Sequence, residues 1–413
     1  MDLIRVVTAG SVDDGKSTLI GHLMALSGAL KEDQLQLIQE KSKRLGYDYL
    51  DWSLATDGLL SEREQGITID ISHLYLDQSN RRLALIDAPG HVQYTRNMIT
   101  GASNADTSLL LIDARNGVSE QTRRHLYIMG LMGIRELIFV VNKMDLVDYD
   151  EITFEEVRES ISTICEQYKI AATFKVIPIS ALKGDGISSD SYQSMAWYRG
   201  KSLLEELLEV PSSKTIYTEK VFDVQYVIRP KTKELHDYRG YAGKQRSGSL
   251  EVGDSIYISP FNTKSKVASI ERYGELCLGI CQGQNAVITL EDDCDVSRGN
   301  LIVHEKTPLF DSYKIDVTIC WLSECPLKAN NKYLIQIGTH RVRSKVNHLD
   351  FTINLKDGTK KKSDVIEMNE IGQIEILLSS PIFFKSYKEN SQLGRLILID
   401  ENTNETAGVA FII

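Results

Sequence analysis

Residues 1 to about 211 alternate short apolar runs with longer stretches of helical periodicity. Leu3–Thr8, Leu83–Asp87, Ser108–Asp113, Leu137–Asn142 and Lys175–Ser180 read as strands. Continuous apolar strands separated by helical segments predict a mostly parallel sheet covered on both faces. A helix is expected over about 153–168. Thr153 and Glu156 carry capping-box spacing, and Phe154, Val157, Ile161, Ile164, Cys165 and Tyr168 fall on one face.

Near Pro211 the pattern changes. Val210-Pro-Ser-Ser-Lys214 reads as a linker, and beyond it short alternating runs are broken by glycine turns. Val221–Ile228 and Ser255–Ser259 are expected strands, then Tyr313–Trp321, Tyr333–Ile337, Arg341–Val346, Ile374–Leu378 and Leu396–Ile399, with a soft boundary around Val303–Pro308. The expected architecture is an α/β P-loop domain over 1–211, followed by two antiparallel β-barrels over 212–304 and 305–413. The basic run Lys356-Asp-Gly-Thr-Lys-Lys-Lys362 is expected as a solvated hairpin loop, with a phosphate-contacting patch as the alternative.

Composition narrows the class. The 413 residues carry a net charge of −10, which argues against a general nucleic-acid or membrane-surface binder. Hydrophobic content is 42% and charged content 25%, values ordinary for a globular chain. No apolar run approaches the ~18 residues that span a bilayer. The N-terminus leads directly into a glycine motif, so no signal peptide is expected. Cys165, Cys277, Cys281, Cys294, Cys320 and Cys325 form no C-x-x-C pair and are expected as free thiols in a reducing cytosol.

The candidate chemistry begins at Gly10-Ser11-Val12-Asp13-Asp14-Gly15-Lys16-Ser17-Thr18, which fits G-x4-G-K-[ST] between an expected strand and a helix. Glycines there let backbone amides turn toward phosphate oxygens, and the helix N-terminus adds a favourable dipole. Lys16 would reach the β- and γ-phosphates and the Ser17 hydroxyl would ligate Mg²⁺. That motif alone does not choose a purine. Asn142-Lys143-Met144-Asp145, at the end of the strand Leu137–Val141, does so. A carboxylate there accepts two hydrogen bonds from guanine N1–H and the N2 amine, a pair that adenine lacks. Ser180-Ala181-Leu182 follows the next apolar strand, and its amides are candidates for guanine O6.

Asp87-Ala88-Pro89-Gly90 follows Leu83–Ile86. Asp87 would hold Mg²⁺ through water, the Gly90 amide would sense the γ-phosphate, and His91 would orient the attacking water. Thr68, in Gly66-Ile-Thr68-Ile69, is the candidate second hydroxyl ligand for Mg²⁺ in a mobile loop. The expected cofactors are GTP and Mg²⁺, with His91 and Lys16 as the catalytic side chains.

These five elements, in this order, resemble a translation-factor-like GTPase. Ser61-Glu-Arg-Glu-Gln-Gly-Ile-Thr-Ile-Asp70, Gly90-His-Val-Gln-Tyr-Thr-Arg-Asn-Met98, Asp113-Ala-Arg-Asn-Gly-Val118 and Gln121-Thr-Arg-Arg-His125 are similar to the large, GTPase subunit of bacterial sulfate adenylyltransferase (ATP sulfurylase). The likeness continues through Tyr238-Arg-Gly-Tyr-Ala-Gly243, Asp295-Val-Ser-Arg-Gly299 and Val317–Ile413, nearly the whole chain. It implies a cytoplasmic GTPase whose hydrolysis drives formation of adenylyl sulfate and diphosphate by a smaller, ATP-binding partner subunit. Three features depart from the family pattern: a shorter N-terminus, Ala88 in place of a threonine, and the basic loop at 356–364. The alternative is an elongation-factor-like GTPase that delivers aminoacyl-tRNA. The acidic balance, Asp13-Asp14 and the Gln93–Met98 stretch favour the first reading.

Overall fold

The computed structural model describes residues 2–44, 46–47, 49–55, 72–78, 81–89, 95–189, 191–211, 215–230, 237–307 and 310–413. The chain forms two compact units, Met1–Lys214 with Asn354–Thr359, and Thr215–Ile353 with Lys360–Ile413.

The first unit is built on a six-stranded sheet. Its strands are β1 (Asp2–Gly10), β2 (Ser72–Gln78), β3 (Arg81–Asp87), β4 (Thr107–Asp113), β5 (Glu136–Asn142) and β6 (Thr173–Pro178), in the order β2-β3-β1-β4-β5-β6. β2 runs antiparallel to β3, and the other pairs are parallel. Every residue of β4 is buried, as its central place between two helical layers requires. β2 was not among the expected strands. It is an edge strand whose Leu76 is buried while Tyr75 faces solvent, and its short alternating run lies beside a charged segment that masks the pattern.

Helices α1 (Lys16–Leu26), α2 (Glu32–Arg44), α3 (Thr95–Ala102), α4 (Glu120–Leu131), α5 (Glu151–Gln167) and α6 (Leu203–Glu209) connect and flank these strands. α5 buries the expected Phe154, Val157, Ile161, Ile164 and Cys165. Its start differs from the expectation at Thr153. Asp150 is the N-cap, and its carboxylate accepts both the Thr153 amide and the Thr153 hydroxyl at 2.8 Å. An aspartate with extended backbone competes for the same free amides as a threonine three residues later, and its charge suits the helix N-terminus. The capping box lies instead at α6, between Ser202 and Glu205.

The last strand also ends earlier than expected, at Pro178 instead of Ser180. Ile179 still donates to Val141 O at 2.8 Å, but Ser180 turns to bond Asp185 O at 3.0 Å. The chain therefore leaves the sheet where its next loop begins.

The second unit holds two closed six-strand antiparallel barrels. In the first, Ser255–Ser259 and Thr263–Arg272 pair to close the strand circuit, and Lys332–Ile337 with His340–Ile353 close the second. Val221–Ile228 and Ser255–Ser259 match the expected strands residue for residue. Gly240–Ser247 was legible only as a motif, because its Gly-Tyr-Ala-Gly-Lys-Gln-Arg-Ser sequence has little strand propensity. Gly243 is required there: a Cβ would fall 2.1 Å from Asp223 O on the neighbouring strand. The basic run forms the expected hairpin, with Lys360–Lys361 paired to Thr352–Ile353. All six cysteines are free. Among the described residues no helix is long and apolar enough to cross a membrane.

Candidate nucleotide-binding site

Parallel strands deliver their C-terminal ends to one edge of the sheet, and the loops that leave those ends form the site. Register decides which residues meet. Thr8 of β1 pairs with Asp87 of β3, and Asp113 of β4 pairs with Asn142 of β5.

The phosphate loop turns through Asp13 and Gly15, both left-handed at φ 68° and 87°. Gly15 has a second constraint, since a Cβ would lie 2.4 Å from the Asn142 side-chain nitrogen. Ser11 donates its amide to the Asp14 carboxylate, which folds the loop onto itself. Burial pushes the Asp14 carboxyl up to about 6 despite that hydrogen bond. Val12 and Asp13 are exposed, and Ser17 and Thr18 are half-buried in the first turn of α1. Lys16 is buried, its Nζ on the Ala88 carbonyl and 3.4 Å from Asp87 Oδ1. The Thr8 hydroxyl donates to Asp87 at 3.2 Å. Ala88 and Pro89 are buried. A lysine ammonium, a serine hydroxyl and an aspartate at adjoining strand ends suit a magnesium triphosphate. Mg²⁺ takes one or two protein oxygens and completes its shell with phosphates and water. Thr68, Gly90 and His91 lie outside the described residues.

The base side is tied together by one amide. Asn142 is buried, donates Nδ2–H to the Asp14 carbonyl at 2.7 Å and accepts the Ala181 amide at 2.9 Å. Phosphate loop, β5 end and the loop at 180–184 are thereby locked to each other. Lys143 is left-handed at φ 64°, which turns its side chain back toward Asp113. Its Nζ sits 3.0 Å from Asp113 Oδ2. Met144 is fully buried and donates its amide to Ile179 O at 3.1 Å, so it anchors the turn from below. Asp145 is half-buried on the following 3₁₀ turn. Ser180 is buried, its hydroxyl accepting the Lys183 amide at 3.2 Å, and Leu182 is half-buried.

Sequence reasoning gave Asp113 no role. It is buried at the end of β4 and receives Lys143, the Arg115 guanidinium at 2.6 Å and the Arg115 amide at 3.0 Å. Burial raises its carboxyl, but the hydrogen bonds from Arg115 and Lys143 outweigh that and hold it down at about 2. The available signal was its position, the last residue of an apolar strand one place over from Asn142.

Comparison with known proteins places the chain in a family. Residues 1–213 match the family described as elongation factor Tu GTP binding domain, and 314–413 match GTP-eEF1A C-terminal domain-like. Sulfate adenylyltransferase subunit 1 of Salmonella typhi is 40% identical over 413 residues, covering 99% of this chain and 85% of the relative. The protein of the same name from Citrobacter koseri is 40% identical over 415 residues, covering 99% and 86%. A crystal structure of Sup35 complexed with GDP has a TM-score of 0.44 and 21% identity, covering 100% of this chain and 94% of the other. The chain belongs to the sulfate adenylyltransferase subunit 1 family, enzymes whose N-terminal part is a GTPase domain of the elongation factor Tu type.

Proposed function

We propose that the chain binds and hydrolyses GTP with Mg²⁺, and that hydrolysis drives a smaller, ATP-binding partner subunit to make adenylyl sulfate and diphosphate from ATP and sulfate. The observation that carries the nucleotide half of this reading is the Asn142 side chain. Its bonds to Asp14 O and Ala181 N tie the 10–18 and 180–184 loops to the end of β5, which supports reading them as one nucleotide site. The family name supports the partner half. In this reading residues 10–18, 87–91, 142–145 and 180–182 contact GTP, and Ser17, Thr68 and Asp87 hold the metal. Asp145 selects guanine. Lys16 stabilises charge on the transferred phosphoryl group, and His91 orients water. The three-domain division at 211 and 304 and a cytoplasmic setting belong to the same proposal.

A switch of this kind does work only through differential affinity. GTP must favour one conformation of the loops around Thr68 and Gly90, and GDP the other, with the partner preferring one of the two. The decisive experiment co-expresses the chain with the small subunit of sulfate adenylyltransferase and follows diphosphate release from ATP and sulfate. Release should rise on adding GTP and stay at the basal level with a non-hydrolysable analogue. Identical release with and without GTP would overturn the coupling. Retention of aminoacyl-tRNA by the GTP-bound chain would favour a carrier instead.

A further inference from the structure

α1 does more than follow the phosphate loop. Gly21 packs directly on the backbone of Trp52, where an added Cβ would fall 2.0 Å from the carbonyl oxygen. The next residue, His22, touches two loops at once. Its Nδ1 lies 2.9 Å from Ala181 O, a contact across 159 residues of sequence. Its ring centroid lies 5.1 Å from that of Trp52, the planes inclined by 39°. Gly184, left-handed at φ 89°, presses on the same ring, and a Cβ there would come within 2.8 Å of Cε1.

The consequence falls on the peptide unit that joins Ala181 to Leu182, which holds the Ala181 carbonyl and the Leu182 amide. Ala181 donates its amide to Asn142 Oδ1 at 2.9 Å and gives its carbonyl to His22. A carbonyl acceptor places the imidazole proton on Nδ1, and burial pushes the ring's pKa down, which keeps it neutral. The turn from Ala181 to Gly184 therefore has its N–H side held by the β5 loop and its C=O side held by α1. Freed from His22, that carbonyl could rotate toward water and carry the Leu182 amide of the same planar peptide with it. Trp52, the ring's aromatic neighbour, belongs to the 3₁₀ turn Trp52–Ala55, which precedes residues 56–71 in sequence.

We propose that His22 is a positioning residue for guanine recognition, setting the 181–184 turn so that its Leu182 amide meets the purine six-oxygen, the Ala181, Lys183 and Gly184 amides being held by Asn142 and Ser180, and linking that turn to Trp52. This rests on the reading of Ser180–Leu182 as the guanine O6 loop. His22 does not touch the nucleotide itself; it acts through Ala181.

The test uses the full-length chain and compares affinity for GDP with affinity for 6-thioguanosine diphosphate, whose sulfur is the weaker acceptor. Wild type should prefer GDP. His22→Ala should weaken GDP roughly tenfold and shrink the GDP preference toward unity, because the Leu182 amide no longer faces the six-position. His22→Asn, which can still donate to Ala181 O, should restore most of both. The change in Trp52 emission on nucleotide binding, taken as wild type minus Trp52→Phe, should be present in wild type and lost in His22→Ala. Equal weakening of both nucleotides by His22→Ala, or unchanged affinity, would overturn the proposal while leaving the loop reading intact. A wild type indifferent to the sulfur substitution would remove the loop reading and the proposal together.

Discussion

Single carboxylates and imidazoles set the behaviour of this pocket. In the proposed reading, purine choice resides in Asp145. Replacing it by Asn exchanges one acceptor for a donor, so Asp145→Asn should lose GTP affinity by roughly 10²- to 10⁴-fold and gain affinity for xanthosine triphosphate. Competition between the two nucleotides checks this, and an unchanged ranking counts against it. His91→Ala should slow GTP hydrolysis roughly 10²-fold with GTP affinity held within about twofold, as expected of a group that only orients water. Single-turnover hydrolysis in the presence of the partner measures it, and normal turnover removes His91 from the mechanism. Two buried groups beneath the site make a pH prediction. Burial holds the His125 imidazole down at about 3 from an ordinary 6.5, with the Lys16 and Arg124 cations acting the same way. Between those values the unfolded chain binds the extra proton, so stability falls as pH drops, by at most about 1.4 kcal/mol per pH unit. Asp14 acts with the opposite sign. Its carboxyl, raised by burial from 3.8 to about 6, keeps a proton in the folded state, so its contribution is lost as pH rises through that window. Urea midpoints of the nucleotide-free chain, measured from about pH 7 to about pH 4.5, separate the two. Relative to wild type, His125→Gln should gain stability as pH falls, and Asp14→Asn should gain it as pH rises. Curves that stay parallel would show that neither group titrates as described.

At the scale of elements, helix starts carry the clearest local signals and the clearest error. Ser202 is buried, accepts the Glu205 amide at 3.4 Å and donates to the Glu205 carboxylate at 2.6 Å, which in turn takes the Ser202 amide at 2.8 Å. Ser202→Ala should cost about 1 kcal/mol and lower the melting temperature by about 2–4 °C. Calorimetry checks it, and an unchanged transition means that α6 is held by Leu203 and Leu207 in the core alone. The misplaced start of α5 has a simple cause. Several polar residues in a row can all cap, and the winner is the one whose backbone becomes extended, a property the residue types do not state. Strands behaved similarly. Runs such as Ser108–Asp113 were legible because burial on both faces selects the continuous apolar stretch Leu109–Ile112 between polar ends. Gly240–Ser247 was not, because its place is secured by the Tyr241 hydroxyl on the Cys294 carbonyl and by the close approach of Gly243 to Asp223 on the neighbouring strand, instead of by its own propensity.

At the scale of the whole molecule, the two barrels of the second unit are joined by a polar seam. Asn390 is fully buried; its Nδ2 donates to Glu219 and to Ser247 at 2.9 Å, and its Oδ1 accepts the Gln392 amide at 3.1 Å. Asp223 takes the Thr339 amide at 3.2 Å across the same seam. Asn390→Ala leaves several of these groups without partners, and the unfolding free energy of this unit should drop by about 2 kcal/mol with GDP affinity unchanged. Denaturation monitored by Trp321 fluorescence measures it, and full stability in the variant would make the seam incidental. The sequence by itself determined the phosphate loop, the purine tetrapeptide, the alternation of strands and helices, and the change to barrels near Pro211. Each of these is written in contiguous residues, whose spacing alone sets turn geometry and burial. Only the tertiary structure decided that Asp113 would brace Lys143, that Asn142 would bridge Asp14 to Ala181, and that His22 would reach the turn beyond it. Those contacts depend on strand register and helix packing, which bring together side chains far apart in the chain and follow no local spacing rule.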